Sequence, residues 1–131
     1  MAKLLGLSGS LRTGSFNTSL LRAAKELAPK DSTFEIASIR GIPLYDGDVE
    51  DKEGIPAAVS ALKDQIAGVD GLLLVTPEYN GSIPGVMKNA IDWLSRPSND
   101  IGRVFGNRAV GITARRQVPP ERASRKPRGF R

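Results

Sequence analysis

The sequence contains no cysteine and no histidine. Disulfides, thiolate nucleophiles and Cys/His zinc centres are therefore excluded. So are a Ser-His-Asp triad and an imidazole general base. Long apolar runs are absent too: residues 4–7 are too few for a signal-peptide core, and nothing approaches membrane-spanning length. A cytoplasmic protein without membrane association is expected. There is no internal repeat, and 131 residues suit one domain with a modest core.

The charge is unevenly spread. The net charge of +5 is made of a body, residues 1–102, with 10 basic and 13 acidic side chains, and a segment, residues 103–131, with 9 basic and 1 acidic. The basic pI of 9.9 thus belongs to the C-terminal segment. Such a segment attracts polyanions without selectivity, but Phe130 is its one aromatic beyond residue 105 and offers no stacking platform. No specific nucleic-acid partner is expected, because charge runs are more often simply solvated.

Strand and helix patterns alternate along the body. Residues 3–8 read as a buried strand, and 17–28 as a helix with Leu20, Leu21, Ala24, Leu27 and Ala28 on one face. Residues 33–39 suit a second strand, 41–54 a long loop, and Pro56 opens a second helix carrying Val59, Leu62, Ile66 and Val69. The Leu-Leu-Leu-Val run within 71–76 is the strongest strand, apolar enough to be buried on both faces. A third helix runs from Pro84 to Pro97, with Val86, Ala90, Ile91 and Leu94 inward, and 108–114 reads as a fourth strand. This order predicts an α/β, doubly wound parallel sheet with right-handed crossovers. Ligands of such sheets sit beyond the carboxyl ends of the strands, which singles out the loops after Ser8 and Val75.

The first loop, residues 9–17, leads into a helix N-terminus, where backbone amides attract an anion. Hydroxyls of Ser10, Ser15 and Thr18, the Asn17 amide and the Arg12 guanidinium can complete a phosphate cradle. Gly9 and Gly14 have the spacing of a Walker A loop, but Ser15 stands where its lysine would be, and no Gly-x-Gly-x-x-Gly is present. A single phosphate monoester, as in FMN, fits better than a triphosphate or pyrophosphate; an ordinary capped turn is the competing reading. The second loop, residues 76–85, offers successive amides, Tyr79 to contact a flat ring, and Gly81 for close approach. A Pro/Gly-rich turn with a solvated Glu78 is the alternative there.

Gly-Ser-Leu-Arg-Thr-Gly-Ser-Phe-Asn at 9–17, Pro-Leu-Tyr-Asp-Gly-Asp at 43–48, Thr-Pro-Glu-Tyr-Asn-Gly-Ser-Ile-Pro-Gly at 76–85 and Lys-Asn-Ala-Ile-Asp-Trp-Leu-Ser-Arg at 88–96 together resemble the flavodoxin-like NADPH-dependent FMN reductases, over residues 1–113. The resemblance implies that Ser10, Arg12, Ser15, Phe16 and Asn17 hold the FMN phosphate and that Pro77, Glu78, Tyr79 and Asn80 line the isoalloxazine. It implies reduction of FMN by NADPH or NADH, then transfer to a small-molecule electron acceptor: a quinone, a metal oxyanion or free flavin. It also implies a homodimer or homotetramer. A non-enzymatic FMN-binding electron carrier is the competing function, since the fold serves both. No side chain is assigned as general acid or base, because the cofactor carries the hydride.

Two other features weigh less. Trp93 reads as core packing rather than as part of a subunit contact with Lys88, Asn89 and Asp92. Asp46, Asp48, Glu50, Asp51 and Glu53 read as a solvated acidic loop, since their spacing lacks a calcium-binding pattern.

The resemblance stops at strand four. Family members continue with a Gly-rich loop, a helix, a fifth strand and a last helix, so the expected sheet is incomplete: a flavodoxin-like domain over residues 1–114 and a basic, disordered tail over 115–131. Codons compatible with residues 114–122 encode, after insertion of one base, Gly-Ala-Ser-Pro-Gly-Ala-Ser-Gly-Thr, which is similar to the family's third flavin loop. A one-base frameshift is therefore the expected origin of the tail, with a natural or engineered terminus as the alternative; the underlying DNA distinguishes them. The expected consequences are an exposed edge at strand four, weak or absent FMN retention and low activity.

Overall fold

The computed structural model describes residues 1–115. Four parallel strands, β1 (Lys3–Ser8), β2 (Thr33–Ala37), β3 (Gly71–Val75) and β4 (Ala109–Thr113), form one sheet in the order β2-β1-β3-β4. Helix α1 (Phe16–Glu26) connects β1 to β2. Helices α2 (Gly47–Glu53) and α3 (Ala57–Ala67) lie between β2 and β3, and α4 (Gly85–Leu94) and α5 (Ile101–Phe105) between β3 and β4. The chain winds outward from β1 to β2 and then back past β1 to β3, so strand order reverses between β1 and β3.

Register assigns the faces. Leu5 pairs with Leu72, which pairs with Val110, and Leu7, Leu74 and Ile112 follow in step, so these six share one face. That face carries the main core: Leu5, Leu7 and Leu72 pack with Val59, Leu62 and Ile66 of α3, Met87, Ala90, Trp93 and Leu94 of α4, and Val104 of α5. The opposite face, with Leu4, Gly6, Leu73 and Val75, is covered by α1, whose Leu21 is fully buried. Helices on both faces make the sheet doubly wound, as the alternating pattern predicts.

The structure corrects the sequence reading in several places: Leu27 and Val86, expected on inner helix faces, are exposed, and two helices form where none is expected. Residues 41–54 are not all loop, because α2 forms inside them. Its end signals are ordinary ones: the Asp46 carboxylate accepts from the Asp48 amide at 2.9 Å, Asp48 and Glu50 occupy the first turn, Lys52 the last, and Gly54 follows at φ 77°. Four of the five acidic residues read as a solvated loop are thus helical, with Asp46 as the cap. A short 3₁₀ turn, Ser98–Asp100, and α5 also fill a stretch that the sequence reading left without structure. Trp93 is fully buried, as the core reading expects.

Polar contacts fix these additions. Arg96 donates to both Glu50 oxygens, at 2.9 and 3.1 Å, and the Tyr45 hydroxyl donates to Glu50 at 2.8 Å. These donors, Arg96 first, hold the Glu50 carboxyl below its ordinary range. The ring of Tyr45 meets Trp93 edge-on at 4.9 Å, and the Trp93 indole donates to the Pro43 carbonyl at 2.8 Å. The loop and α2 are thereby tied to α4. On the other side of the core, Lys63 is buried and pairs with Asp100 at 2.7 Å, while Arg103 bridges Asp100 and Asp64. Hydrogen bonds from Arg103, then Lys63, hold the Asp100 carboxyl far below its ordinary range.

Strand β4 differs from the rest. It pairs only with β3 among the described residues, and all five of its residues are exposed. The expectation of a disordered tail falls, apart from Arg115, on residues 116–131, outside the described residues.

Candidate functional site

Both loops singled out by the sequence leave the sheet at the reversal of strand order, from the carboxyl ends of β1 and β3. Their bases are locked together. The Gly9 amide donates to the Val75 carbonyl at 2.9 Å, and the Thr76 amide to Thr113 at 3.0 Å, so the ladder continues past the strand ends. Gly9 is required by this approach: a Cβ there would stand 2.2 Å from Thr76 Oγ1 and 3.1 Å from Thr76 Cα.

Above these bases lies a cavity of about 400 Å³, lined by Ser10, Arg12, Ser15, Phe16, Asn17, Pro77, Glu78, Tyr79, Asn80, Gly81 and Arg115. Ten of the eleven residues proposed from the sequence thus meet in one place. Thr18 does not. Its hydroxyl is turned to Ser8 Oγ at 2.9 Å, and its amide donates to Ser15 Oγ at 3.2 Å. Ser15 is the N-cap of α1, and its carbonyl accepts from Ser19. The amides of Phe16 and Asn17 remain at the helix start, where an intrahelical acceptor does not exist. They, the hydroxyl protons of Ser10 and Ser15, and the Arg12 guanidinium form a donor set suited to a compact oxyanion.

The other wall is a hairpin turn. Tyr79 and Ser82 exchange backbone hydrogen bonds at 2.8 and 3.1 Å, with Asn80 at φ 53° and Gly81 at φ 78°. Positive φ at both central residues is the two-residue turn for which Asn-Gly is favoured. The Tyr79 ring, half exposed, and the partly exposed ring of Phe16 both line the cavity. Oxyanion donors at the start of α1 and exposed aromatic rings in one cavity suit a phosphate ester of an aromatic heterocycle, and the volume lies in the ordinary range for such ligands. The cavity fits FMN on these grounds.

Arg115 is a lining residue that sequence reasoning missed by assigning it to the tail. Its guanidinium stands 4.8 Å from the Phe16 ring centroid, and its backbone amide donates to Asn17 Oδ1 at 2.9 Å. With Oδ1 committed, the remaining polar group of the buried Asn17 amide is a donor, which also favours an anion. The signal available was positional: Arg115 lies two residues beyond β4, at the third strand end of the same sheet edge. Two guanidinium groups, Arg12 and Arg115, and one carboxylate, Glu78, line the cavity.

Comparison with known proteins identifies the family. The model of the family described as NADPH-dependent FMN reductase matches residues 2–118, extending past residue 113, where the resemblance read from the sequence ends. An NAD(P)H-dependent FMN reductase of Pseudomonas aeruginosa is 54% identical over 95 residues, covering 72% of this chain and 51% of that protein. A quinone reductase of Escherichia coli is 53% identical over 95 residues, covering 72% and 50%. The solved structure of FerB, a flavoenzyme NAD(P)H:(acceptor) oxidoreductase from Paracoccus denitrificans, superposes with a TM-score of 0.77 at 33% identity, covering 87% of this chain and 60% of that one. The chain therefore spans about half the length of the curated relatives it matches. With the flavodoxin-like sheet and the two loop motifs in place, this chain belongs to the NADPH-dependent FMN reductase family.

Proposed function

We propose that the cavity between the first and second loops binds FMN, and that the protein uses NADPH or NADH to reduce a small-molecule electron acceptor such as a quinone, a metal oxyanion or free flavin. The observation that carries this reading is the meeting of both loops in one cavity with an oxyanion donor set and exposed aromatic rings. The names of the relatives, FMN reductase and quinone reductase, support the same reaction class.

Bound FMN would supply the two-electron chemistry. The chain's own residues bind and orient. Arg12, the hydroxyls of Ser10 and Ser15, and the amides at the start of α1 hold the phosphate. Pro77, Glu78, Tyr79, Asn80 and Gly81 form the wall against which the ring system lies, and Gly81 brings the turn's backbone close. Phe16 and Asn17 close the phosphate end. No side chain at the cavity is assigned a proton transfer.

A cytoplasmic homodimer or homotetramer completes this reading. A subunit contact is supported by apolar side chains exposed around a separate concavity, Leu44 and Val86 among them.

Titration of the purified chain against FMN, followed by flavin fluorescence, tests the reading. Saturable binding is expected, with the Kd of Arg12→Ala raised about tenfold or more, the effect of losing a charge-assisted contact. Absence of saturable binding would overturn it. NADPH oxidation dependent on added benzoquinone then separates a reductase from an electron carrier.

A further inference from the structure

The chain on either side of Ala114 is pinned to both loops of the cavity. The Thr113 carbonyl accepts from the Thr76 amide at 3.0 Å, and the Arg115 amide donates to Asn17 Oδ1 at 2.9 Å. One bond reaches the second loop and the other the start of α1. The place of Arg115 is therefore set by bonds that its side chain does not make. The guanidinium itself stands 4.8 Å from the Phe16 ring centroid, within cation–π range, and lines the cavity.

The charges at this end of the cavity are not balanced. Helix α1 has no acidic residue in its first turn, whereas α2 has Asp48 and Glu50 in its own. Two guanidinium groups, Arg12 and Arg115, line the cavity into which α1 starts. Neither forms an ion pair among the described residues, so the one carboxylate lining the cavity, Glu78, is paired with neither. Asn17, only 5% exposed, has its oxygen committed to the Arg115 amide and is left with NH donors to offer. Two cations at the positive end of a helix repel each other and the dipole, and an anion between them offsets both.

We propose that Arg115 is a specificity-determining residue of the cavity: it supplies a second guanidinium to the phosphate, so that FMN is taken in preference to riboflavin, which has none. The proposal rests on the FMN reading in naming its ligand. Arg115 lies beyond residue 113, where the resemblance read from the sequence ends, so the two loop motifs do not carry this role. Arg12 holds the phosphate from the first loop, and Arg115 from the end of β4.

The unaltered chain, Arg115→Gln and Arg115→Lys are titrated with FMN and with riboflavin, followed by flavin fluorescence. Their thermal midpoints are also measured with and without inorganic phosphate. The unaltered chain is expected to prefer FMN. Arg115→Gln should raise the Kd for FMN about tenfold, as for one charge-assisted contact, and leave that for riboflavin within about twofold. Arg115→Lys keeps the charge without the planar fork and should fall between. Phosphate should raise the midpoint of the unaltered chain more than that of Arg115→Gln. Equal losses for both flavins would place Arg115 against the ring system or in the scaffold, and would overturn the proposal. So would an FMN preference untouched by both variants. If the unaltered chain binds neither flavin, the FMN reading fails, and the phosphate shift alone decides the role of Arg115: a shift lost in Arg115→Gln supports an anion ligand, and a shift absent or unchanged removes it.

Discussion

Strands β3 and β4 are neighbours in perfect register, yet they live in different environments. Leu72 of β3 is 5% exposed and Val110, its partner on the same face, 47%. One row further along, Leu74 is half-buried and Ile112 is 70% exposed. Local sequence does not account for this, since both strands are apolar. The difference is cover: β3 lies between α1 and the α3–α4 layer, whereas β4 extends past that layer and has one hydrogen-bonded neighbour among the described residues. Burial in a parallel sheet is conferred by the helices its crossovers lay down, so the same kind of strand is core in one place and edge in the next.

Substitutions that break this comparison should differ sharply. Leu72→Ala is expected to cost about 3 kcal/mol in denaturant unfolding, as for a buried leucine whose cavity cannot collapse. The same truncation at Ile112 should change stability by no more than about 0.5 kcal/mol. Equal costs at the two positions would show that β4 is covered in solution. Gly9→Ala comes next, because the added Cβ overlaps the Thr76 side chain at its root, 2.7 Å from Thr76 Cβ, and presses on its Cα. A loss of about 1–3 kcal/mol is expected, together with FMN binding weaker than in the unaltered chain.

The acid limb of stability is a smaller test. Asp100 has a folded-state pKa held below its ordinary 3.8, so the stabilisation from its contacts is present above about pH 4 and is lost as the pH falls through the folded value. Thermal midpoints measured downward from pH 5 should fall less steeply in Asp100→Asn than in the unaltered chain, with the variant less stable at neutral pH because Lys63 loses its partner. The smallest effect on stability is expected at the edge. Ile112→Lys should leave the unfolding midpoint nearly unchanged while reducing light scattering on concentration, since a lysine blocks edge-to-edge pairing.

Much of the fold was legible because β1, β3 and α1 are written in local patterns. The apolar run of β3 and the spacing of Leu20, Leu21 and Ala24 need no distant information. The cavity was legible for a related reason: a doubly wound sheet delivers the loops after β1 and β3 to one edge, so ten residues could be placed together before any coordinates. What escaped reading depended on tertiary contacts. α2 is short and acidic, with no buried residue, and is held by Arg96 and Tyr45 through Glu50. α5, only five residues long, has a single buried residue, Val104. Thr18 sits beside the cradle in sequence, but its hydroxyl is captured by Ser8. Arg115 looked like one more charge in a basic segment, and only the position of β4 beside β3 brings it over Phe16.

The bonds from Gly9 to Val75 and from Thr76 to Thr113 make the floor of the cavity a continuation of the sheet rather than a surface laid on it. A loop hung from a sheet can breathe while the sheet stays shut; a floor that is the last rung of the ladder cannot. The Gly9 amide hydrogen should therefore exchange with solvent only as fast as β1 and β3 part, and that of Thr76 as fast as β4 leaves β3. A ligand seated on that floor would tighten the whole strand array, and the cavity would report the folding of the chain as faithfully as any residue in its interior.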